Sequence, residues 1–352
     1  MSYLLSLLKS ELLDLFKHFR DHLVKGNYRK VCLTAHNNAD PDAVASLIAI
    51  KELVKKLINA DVEVTLPTQV SAISKQVLSN LNMTLESSPI DSLHSCDLLI
   101  IIDTSSSQQL GEIARYLRGV KYVVVDHHDI NRLCEGAELC VYDPSRKSTS
   151  EIVTSIYAYL GLNIGKELST LLITGILYDS KHLILADEVT FSAMVYLIKC
   201  GGSYREALKA LRKTLGIPER IARLRGVARS HIIRVDNYLV AITCVGAYES
   251  SVARALIEVG ADAAIVMSSQ KGGCRVDIRC KEGMVIGDRY LGELIVNELT
   301  KSLGGEGGGH KGALGALVKA NVPTVFNELI KVLRKYSKEF KVLEEGVCRE
   351  YG

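Results

Sequence analysis

Two apolar runs constrain this chain more than anything else in it. DLLIIID, ending at Asp103, and KYVVVDHH, ending at His128, consist of branched and β-branched residues that lead directly into acids. Short runs of this kind, bounded by polar residues, read as strands buried on both faces. VCLTAH at 31–36 and VEVTLP at 62–67 are two more of the same type. Helix-like segments lie between them, including ASLIAIKELVKKL at 45–57 and residues 108–118. Strands alternating with helices predict an α/β domain with a doubly wound, mainly parallel sheet covered on both faces. Ligand sites in such sheets form at the carboxyl ends of the strands, which is where Asp103 and Asp126 fall.

The chain has 352 residues, enough for about two domains of roughly 150 residues. Residues 151–216 read as mostly helical. From residue 235 the alternation restarts with YLVAITCV, SVARALIEVG, ADAAIVMSS, CRVDIRC and LGELIVNELTKSL, and a helix is expected around 324–340. The reading is a first domain over 1–216, a linker or linker helix over 217–232, and a smaller α/β domain over 233–345. The N-terminal 25 residues carry Leu5, Leu8, Leu12, Phe16, Phe19 and Leu23 at helical spacing, with Lys9, Glu11 and Asp14 inside what would be a signal core. They predict an amphipathic helix, which either packs on its own domain or pairs with a second copy to make a homodimer. No stretch approaches the roughly 20 apolar residues that span a bilayer, so a cytoplasmic protein with no membrane partner is expected.

Nine cysteines, an odd number without a Cys-x-x-Cys, point to free, mostly buried thiols rather than a disulfide framework or zinc ribbon. A net charge of +3 argues against a strongly basic nucleic-acid coat. One local basic stretch, Lys199 to Arg234, holds ten Lys or Arg against Glu206 and Glu219. It either draws a nucleic-acid backbone toward the site or is a set of solvated helix faces. Tyr204 is its only aromatic residue, so it offers no base-stacking platform, which favours short substrates.

Four clusters carry chemistry. AHNNADPDAVAS supplies His36, Asp40 and Asp42, although a polar turn with an acid capping the following helix would use the same residues. LLIIIDTSSS supplies Asp103, and LLITGILYDS supplies Asp179. VVVDHHD supplies Asp126, His127 and His128, and packing gives no reason for two adjacent histidines between acids after a buried strand. Carboxylates and imidazoles without paired thiolates favour Mn²⁺, Mg²⁺ or Co²⁺ over structural zinc. More than four candidate ligands suggests two ions sharing one carboxylate, an arrangement suited to in-line phosphoryl displacement.

The ordered set His36, Asp40, Asp42, Asp103, Asp126-His127-His128 and Asp179 resembles the four motifs of the DHH phosphoesterase superfamily. Gly307-Gly308-Gly309-His310 resembles the signature of its DHHA1 substrate-binding domain. The chain is most similar to the short nanoRNase/pAp phosphatase and archaeal-type stand-alone DHH-DHHA1 proteins, and Ser148-Thr149-Ser150-Glu151 matches that group as well. The resemblance implies one Mn²⁺ held by His36, Asp40 and Asp103, and a second held by Asp42, Asp103, His127 and Asp179. It places His128 at the scissile phosphate and Asp126 behind a histidine. In the second domain it assigns Arg279, Gly307, Gly308, Gly309 and His310 to substrate. Departures are Ala39 before Asp40, Pro41 between the two acids, Lys181-His182 after Asp179-Ser180, and Cys280 after Arg279.

The implied activity is a Mn²⁺-dependent phosphodiesterase converting short oligonucleotides to mononucleotides, with pAp as a further substrate. Alternatives are a phosphodiesterase for c-di-AMP or pApA, a RecJ-like single-strand exonuclease, and a non-catalytic scaffold. The short chain weighs against the exonuclease, and the filled ligand positions weigh against the scaffold. A pyrophosphatase or exopolyphosphatase shares the metal motifs, but the Gly-Gly-Gly-His segment disfavours it.

Overall fold

The computed structural model describes residues 3–212, 215–281, 283–310 and 312–347. Its contacts divide the chain into two compact units, residues 1–213 and 214–352.

The first unit begins with α1 (Tyr3–Ser6) and α2 (Ser10–Lys25). Its strands are β1 (Lys30–Ala35), β2 (Asp61–Val64), β3 (Leu98–Ile102), β4 (Tyr122–Asp126) and β5 (Leu139–Tyr142). They form one parallel sheet in the order β2-β1-β3-β4-β5. Every residue of β3 and β4 is buried, as a parallel strand covered on both faces requires. Successive side chains alternate between two apolar layers. Leu33, Ile100, Ile102, Val123 and Val125 face a layer of α-helices, whereas Cys32, Leu99, Ile101 and Val124 face the other side. The helices are α3 (Pro41–Leu57), α4 (Ala72–Asn80), α5 (Thr149–Leu160), α6 (Lys166–Asp179), α7 (Glu188–Lys199) and α8 (Tyr204–Leu211).

The second face is closed by three 3₁₀ segments, Ile90–Ser95, Ser107–Arg118 and Arg132–Gly136, instead of the helix expected over 108–118. Gly111, at φ +53°, breaks that segment into short turns. Phe16, Phe19 and Leu23 of α2 are buried in the first unit's own core, so the N-terminal helix spends its apolar face there.

The second unit opens with α9 (Ile217–Ala228), which with the start of β6 occupies the residues expected as a linker. Its Ala222 and Val227 pack beside Val252 and Leu256, and Arg223 Nε donates to Ser251 Oγ at 2.8 Å, so α9 is built into this unit. The remaining elements are β6 (His231–Val235), β7 (Tyr238–Cys244), α10 (Glu249–Glu258), β8 (Ala263–Gln270) and β9 (Gly273–Cys280). After them come β10 (Val285–Ile286), β11 (Arg289–Tyr290), α11 (Leu291–Leu303), β12 (Gly305–His310), β13 (Ala313–Val318), α12 (Val322–Tyr336) and β14 (Phe340–Glu344). Seven strands form a sheet ordered β12-β13-β9-β8-β7-β6-β14, with β7 and β8 as its parallel pair.

Cys134 and Cys140 depart from the free-thiol expectation: they are disulfide-bonded, with Cα atoms 5.5 Å apart. The turn at 132–136 brings the chain straight back into β5, which places the two residues within bridging range. Cys32, Cys96, Cys200, Cys274 and Cys280 are free and buried or half-buried, and Cys348 lies outside the described residues. Among the described residues no helix is long and apolar enough to cross a membrane.

Candidate metal centre

Parallel pairing puts the carboxyl ends of β1, β3 and β4 side by side, with Ala35 opposite Ile102 and Ile102 opposite Val125. His36, Asp103 and His127 are the residues at or just beyond those ends, so strand register alone gathers them. Asp40 and Asp42 arrive on the first turn of α3, and Asp179 on the last residue of α6. Two overlapping groups take up the six expected ligands. His36, Asp40 and Asp103 converge in one, and Asp42, Asp103, His127 and Asp179 in the other, with the potential ligand atoms of each group within 4.8 Å of one another. Asp103 belongs to both, and to a third group that it forms with His127 and His128.

Each side chain is aimed by a bond on its far side. Asp40 does both things its sequence position suggested. Its Oδ1 caps α3 by accepting from the backbone N–H of Asp42 and Ala43, while its Oδ2 lies 3.9 Å from His36 Nε2. His36 Nδ1 bonds the Asn37 carbonyl at 2.8 Å and His127 Nδ1 the Arg146 carbonyl at 3.3 Å. A carbonyl only accepts, so these contacts put the proton on Nδ1 and leave Nε2 as a lone-pair donor. His127 Nε2 is buried, sits 3.1 Å from Asp179 Oδ2 and 3.5 Å from Asp103 Oδ1, and makes no hydrogen bond. A buried imidazole nitrogen without a hydrogen-bond partner among carboxylate oxygens is a donor set that fits a divalent cation. Asp103 has φ +54°, a left-handed conformation that non-glycine residues hold at a cost of order 1–3 kcal/mol and that concentrates at functional sites.

The cage is built by the Ser148-Thr149-Ser150-Glu151 motif, to which the sequence reading gave no role, and by Gly175 and Arg146, which it passed over. Ser148 caps α5 by accepting from the Glu151 N–H. The two N–H groups behind that cap, on Thr149 and Ser150, donate to Asp42 Oδ2 and Oδ1 at 2.7 and 2.9 Å. A helix N-terminus thereby stabilises a fully buried carboxylate. Thr149 Oγ1 donates to Asp103 Oδ1 at 2.8 Å. Gly175 lets α6 pass against this corner, because a Cβ there would lie 2.1 Å from Ser150 Oγ and 2.8 Å from Asp42 Oδ1. Arg146, whose carbonyl orients His127, is surrounded by Asp143 at 3.5 Å, Glu151 at 3.7 Å and Asp187 at 3.6 Å. The Ser-x-x-Glu capping spacing was the available signal for α5, and nothing in the sequence indicated what its N-terminus would face.

His128 has a different partner. Its Nδ1 bonds Asp126 Oδ1 at 2.7 Å, and Asn131 Nδ2 donates to Asp126 Oδ2 at 2.7 Å. Burial works against a charged Asp126, but the His128 and Asn131 bonds hold its carboxyl below the usual range. The same Asp126 bond raises His128 above an ordinary histidine.

The cation-free cage is electrostatically uncomfortable. Burial, then repulsion from Asp40, pushes Asp103 up to about 7, and burial with Asp103 and Asp179 raises Asp42 well above the usual carboxylate range. Burial opposes charge on the histidines, yet Asp40 and Asp103 bring His36 up to about 9, and Asp179, Asp42 and Asp103 bring His127 up to about 10. A divalent cation bound among these groups would displace such protons and offset the carboxylate repulsion. Directly after Asp179-Ser180, Lys181, His182 and Leu183 all have left-handed backbones (φ 51°, 56° and 72°).

The substrate residues expected in the second unit come together within that unit. His310 of β12, Ala313 of β13 and Arg279 of β9 share one row across the sheet, and Gly308 pairs with Gly315. Arg279 Nε is buried without a hydrogen-bond partner. Gly309 has φ +145°, and a Cβ there would lie 2.3 Å from the Ala313 carbonyl oxygen, so only glycine lets β12 lie this close. Gly307, Gly308, Gly309 and His310 are all exposed on the sheet edge.

Residues 30–176 match the model of the DHH family, N-terminal domain. The chain is 32% identical over 297 residues to an uncharacterised protein of Methanocaldococcus jannaschii, spanning 81% of this chain and 86% of that one. It belongs to the DHH family and is a phosphoesterase of that family, a metal-dependent hydrolase. Against the cyclic-di-AMP phosphodiesterase GdpP of Bacillus subtilis it is 26% identical over 293 residues, covering 80% of this chain and 43% of the relative. Against a probable manganese-dependent inorganic pyrophosphatase of Bacillus cereus it is 28% identical over 155 residues, covering 43% of this chain and 48% of the relative. Among solved structures, an exopolyphosphatase-related protein from Bacteroides fragilis shares the fold, with a TM-score of 0.56, 14% identity and coverage of 92% of this chain and 96% of that one.

Proposed function

We propose that this protein is a manganese-dependent phosphodiesterase that hydrolyses short oligonucleotides to mononucleotides, with pAp as a further substrate. The carrying observation is the pair of carboxylate–imidazole groups that share Asp103. His36, Asp40 and Asp103 would hold one ion, and Asp42, Asp103, His127 and Asp179 the other. Bound there, the pair lowers the pKa of a shared water and neutralises charge developing on the phosphoryl oxygens. The manganese assignment is supported by the oxygen-rich donor set and by the manganese-dependent relative.

The chain's own residues do the rest. Thr149 and the N-terminus of α5 hold Asp103 and Asp42 in place. The Asp126 bond to His128 Nδ1 favours the imidazolium, whose Nε2–H would pass its proton to the departing oxygen and leave a neutral imidazole still donating from Nδ1 to Asp126. In the second unit, Arg279 has an unpaired buried nitrogen suited to a terminal phosphate, and the bare backbone of Gly308 and Gly309 lies two strands away in the same sheet.

The match to GdpP favours a second reading, hydrolysis of a cyclic dinucleotide or of its linear product pApA. Product analysis with Mn²⁺ tests both. The wild-type protein and Asp103→Ala receive pAp, pApA, c-di-AMP, an RNA pentamer and a thirty-nucleotide strand in parallel. Preference for pApA and the pentamer supports the first reading, and preference for c-di-AMP moves the assignment to the second. Processive loss of the long strand moves it to an exonuclease, and unchanged turnover by Asp103→Ala overturns the site itself.

A further inference from the structure

The outer face of α7 is apolar and uncovered. Phe191, Val195 and Ile198 lie on one stripe of the helix and are 52%, 51% and 48% exposed. A groove of about 390 Å³ runs between α7 and α1, and α7 lines it with Glu188, Phe191, Ser192, Val195, Tyr196 and Lys199. An exposed apolar stripe of this kind, closed off by charges at its ends, marks an interaction surface.

The order of those six residues specifies the occupant. A two-fold axis crossing α7 between Ala193 and Met194 exchanges Glu188 with Lys199, Phe191 with Tyr196, and Ser192 with Val195. The six lining residues of α7 map onto themselves, while Tyr3 and Leu4 of α1 line the groove's other side. Aromatic meets aromatic, small meets aliphatic, and the acidic end meets the basic end. An antiparallel copy of α7 would therefore make a Glu188–Lys199 pair at each end, about 16 Å apart at 1.5 Å rise per residue, with the apolar residues between. The helix dipoles would oppose each other as well. A parallel copy would stack Glu188 on Glu188.

We propose that this face of α7 is a self-association interface, on which a second copy of the chain docks its own α7 antiparallel across a two-fold axis. Such an interface is isologous and closes as a dimer. The proposal is independent of the substrate, since the residues it uses are not members of the metal cage.

Charge reversal tests it. Sedimentation equilibrium of the wild-type 352-residue chain is expected to give twice its 38.6 kDa mass. Val195→Glu places like charges at the centre of the interface and should weaken the dimer by about 100-fold or more. Glu188→Lys and Lys199→Glu each set like charges opposite one another at both ends, and should weaken it about tenfold. The double variant, Glu188→Lys with Lys199→Glu, restores complementarity and should recover the wild-type dimer. This recovery isolates the intersubunit pair. The Tyr3 hydroxyl donates to the Glu188 carboxylate within the chain, and the double variant does not restore that bond. Circular dichroism checks the fold, and Lys199→Glu carries the test if Val195→Glu does not fold. A wild-type monomer overturns the proposal, as does a dimer indifferent to both Val195→Glu and Lys199→Glu. Single reversals that dissociate without recovery in the double variant overturn the antiparallel register.

Discussion

Gly175→Ala puts one methyl group between α6 and the buried side of the metal cage. The built Cβ falls 2.1 Å from Ser150 Oγ, 3.1 Å from Ser150 Cβ and 2.8 Å from Asp42 Oδ1. Both neighbours cannot stay. Ser150 Oγ can rotate, giving up its 3.3 Å contact with Ser46 Oγ. Asp42 is held at both oxygens by backbone N–H groups, so it moves only if α5 moves. Overpacking of this size costs about 1–3 kcal/mol, while alanine regains about 1 kcal/mol of helix propensity. The net change in stability is therefore about 0–2 kcal/mol. Displacing a residue that supports a metal site typically costs 10- to 100-fold in metal affinity or activity. Function should thus fall much further than stability. The assay is the Mn²⁺ concentration for half-maximal hydrolysis, with urea unfolding of the metal-free protein alongside. A half-activation concentration raised by about 10- to 100-fold with a small loss of stability is expected. A Gly175→Ala protein with wild-type Mn²⁺ activation would refute the packing argument, because it would show that Asp42 is not confined by α6.

Other outcomes follow from the same geometry. Arg146→Met leaves the buried Glu151 without its cation and should cost about 3–5 kcal/mol in urea unfolding; adding Glu151→Gln should recover part of that loss, and strict additivity would show that the two do not act together. In the proposed substrate role of Arg279, Arg279→Ala would remove a charged contact worth about 1.5–3 kcal/mol, so KM for the pentanucleotide should rise at least tenfold while kcat changes little, and an unchanged KM would overturn that role. The metal-free protein should lose thermal stability as pH rises. His36 and His127 sit at about 9 and about 10 when folded, so their contribution is complete below the ordinary histidine value and is lost through those higher values. Asp103, raised to about 7, acts in the same direction as its proton leaves. Excess Mn²⁺ should flatten the decline, because the cation replaces the protons, and a metal-free Tm that rises from about pH 6 to about pH 10 would contradict these shifts.

What could be read in the sequence, and what could not, divides along one physical line. Strands β3 and β4 were legible because burial on both faces forces continuous apolar runs, and parallel register then makes the acid ending each run part of one site. Edge strands lack that constraint. Half-buried β5 and solvent-facing β14, the five residues Phe-Lys-Val-Leu-Glu, do not stand out from loop or helix, and residues 324–340 read as helix through to the point where β14 begins. Residues 108–118 have helical apolar spacing, but the positive φ of Gly111 breaks them into 3₁₀ turns.

The same line runs through the site. Residues that would touch an ion must be particular chemical types, so His36, Asp40, Asp42, Asp103, His127 and Asp179 declare themselves. Apart from the Thr149 hydroxyl on Asp103, the contacts that hold those six use groups that are not particular to one residue type. Arg146 offers its carbonyl to His127, Thr149 and Ser150 offer backbone N–H groups to Asp42, and Gly175 contributes only the absence of a side chain. None of these roles restricts residue type strongly enough to mark the sequence, and each depends on helices α5 and α6 meeting α3 at one corner. The cap at Ser148 could be read, but its consequence, a helix N-terminus aimed at a buried aspartate, exists only once the chain has folded.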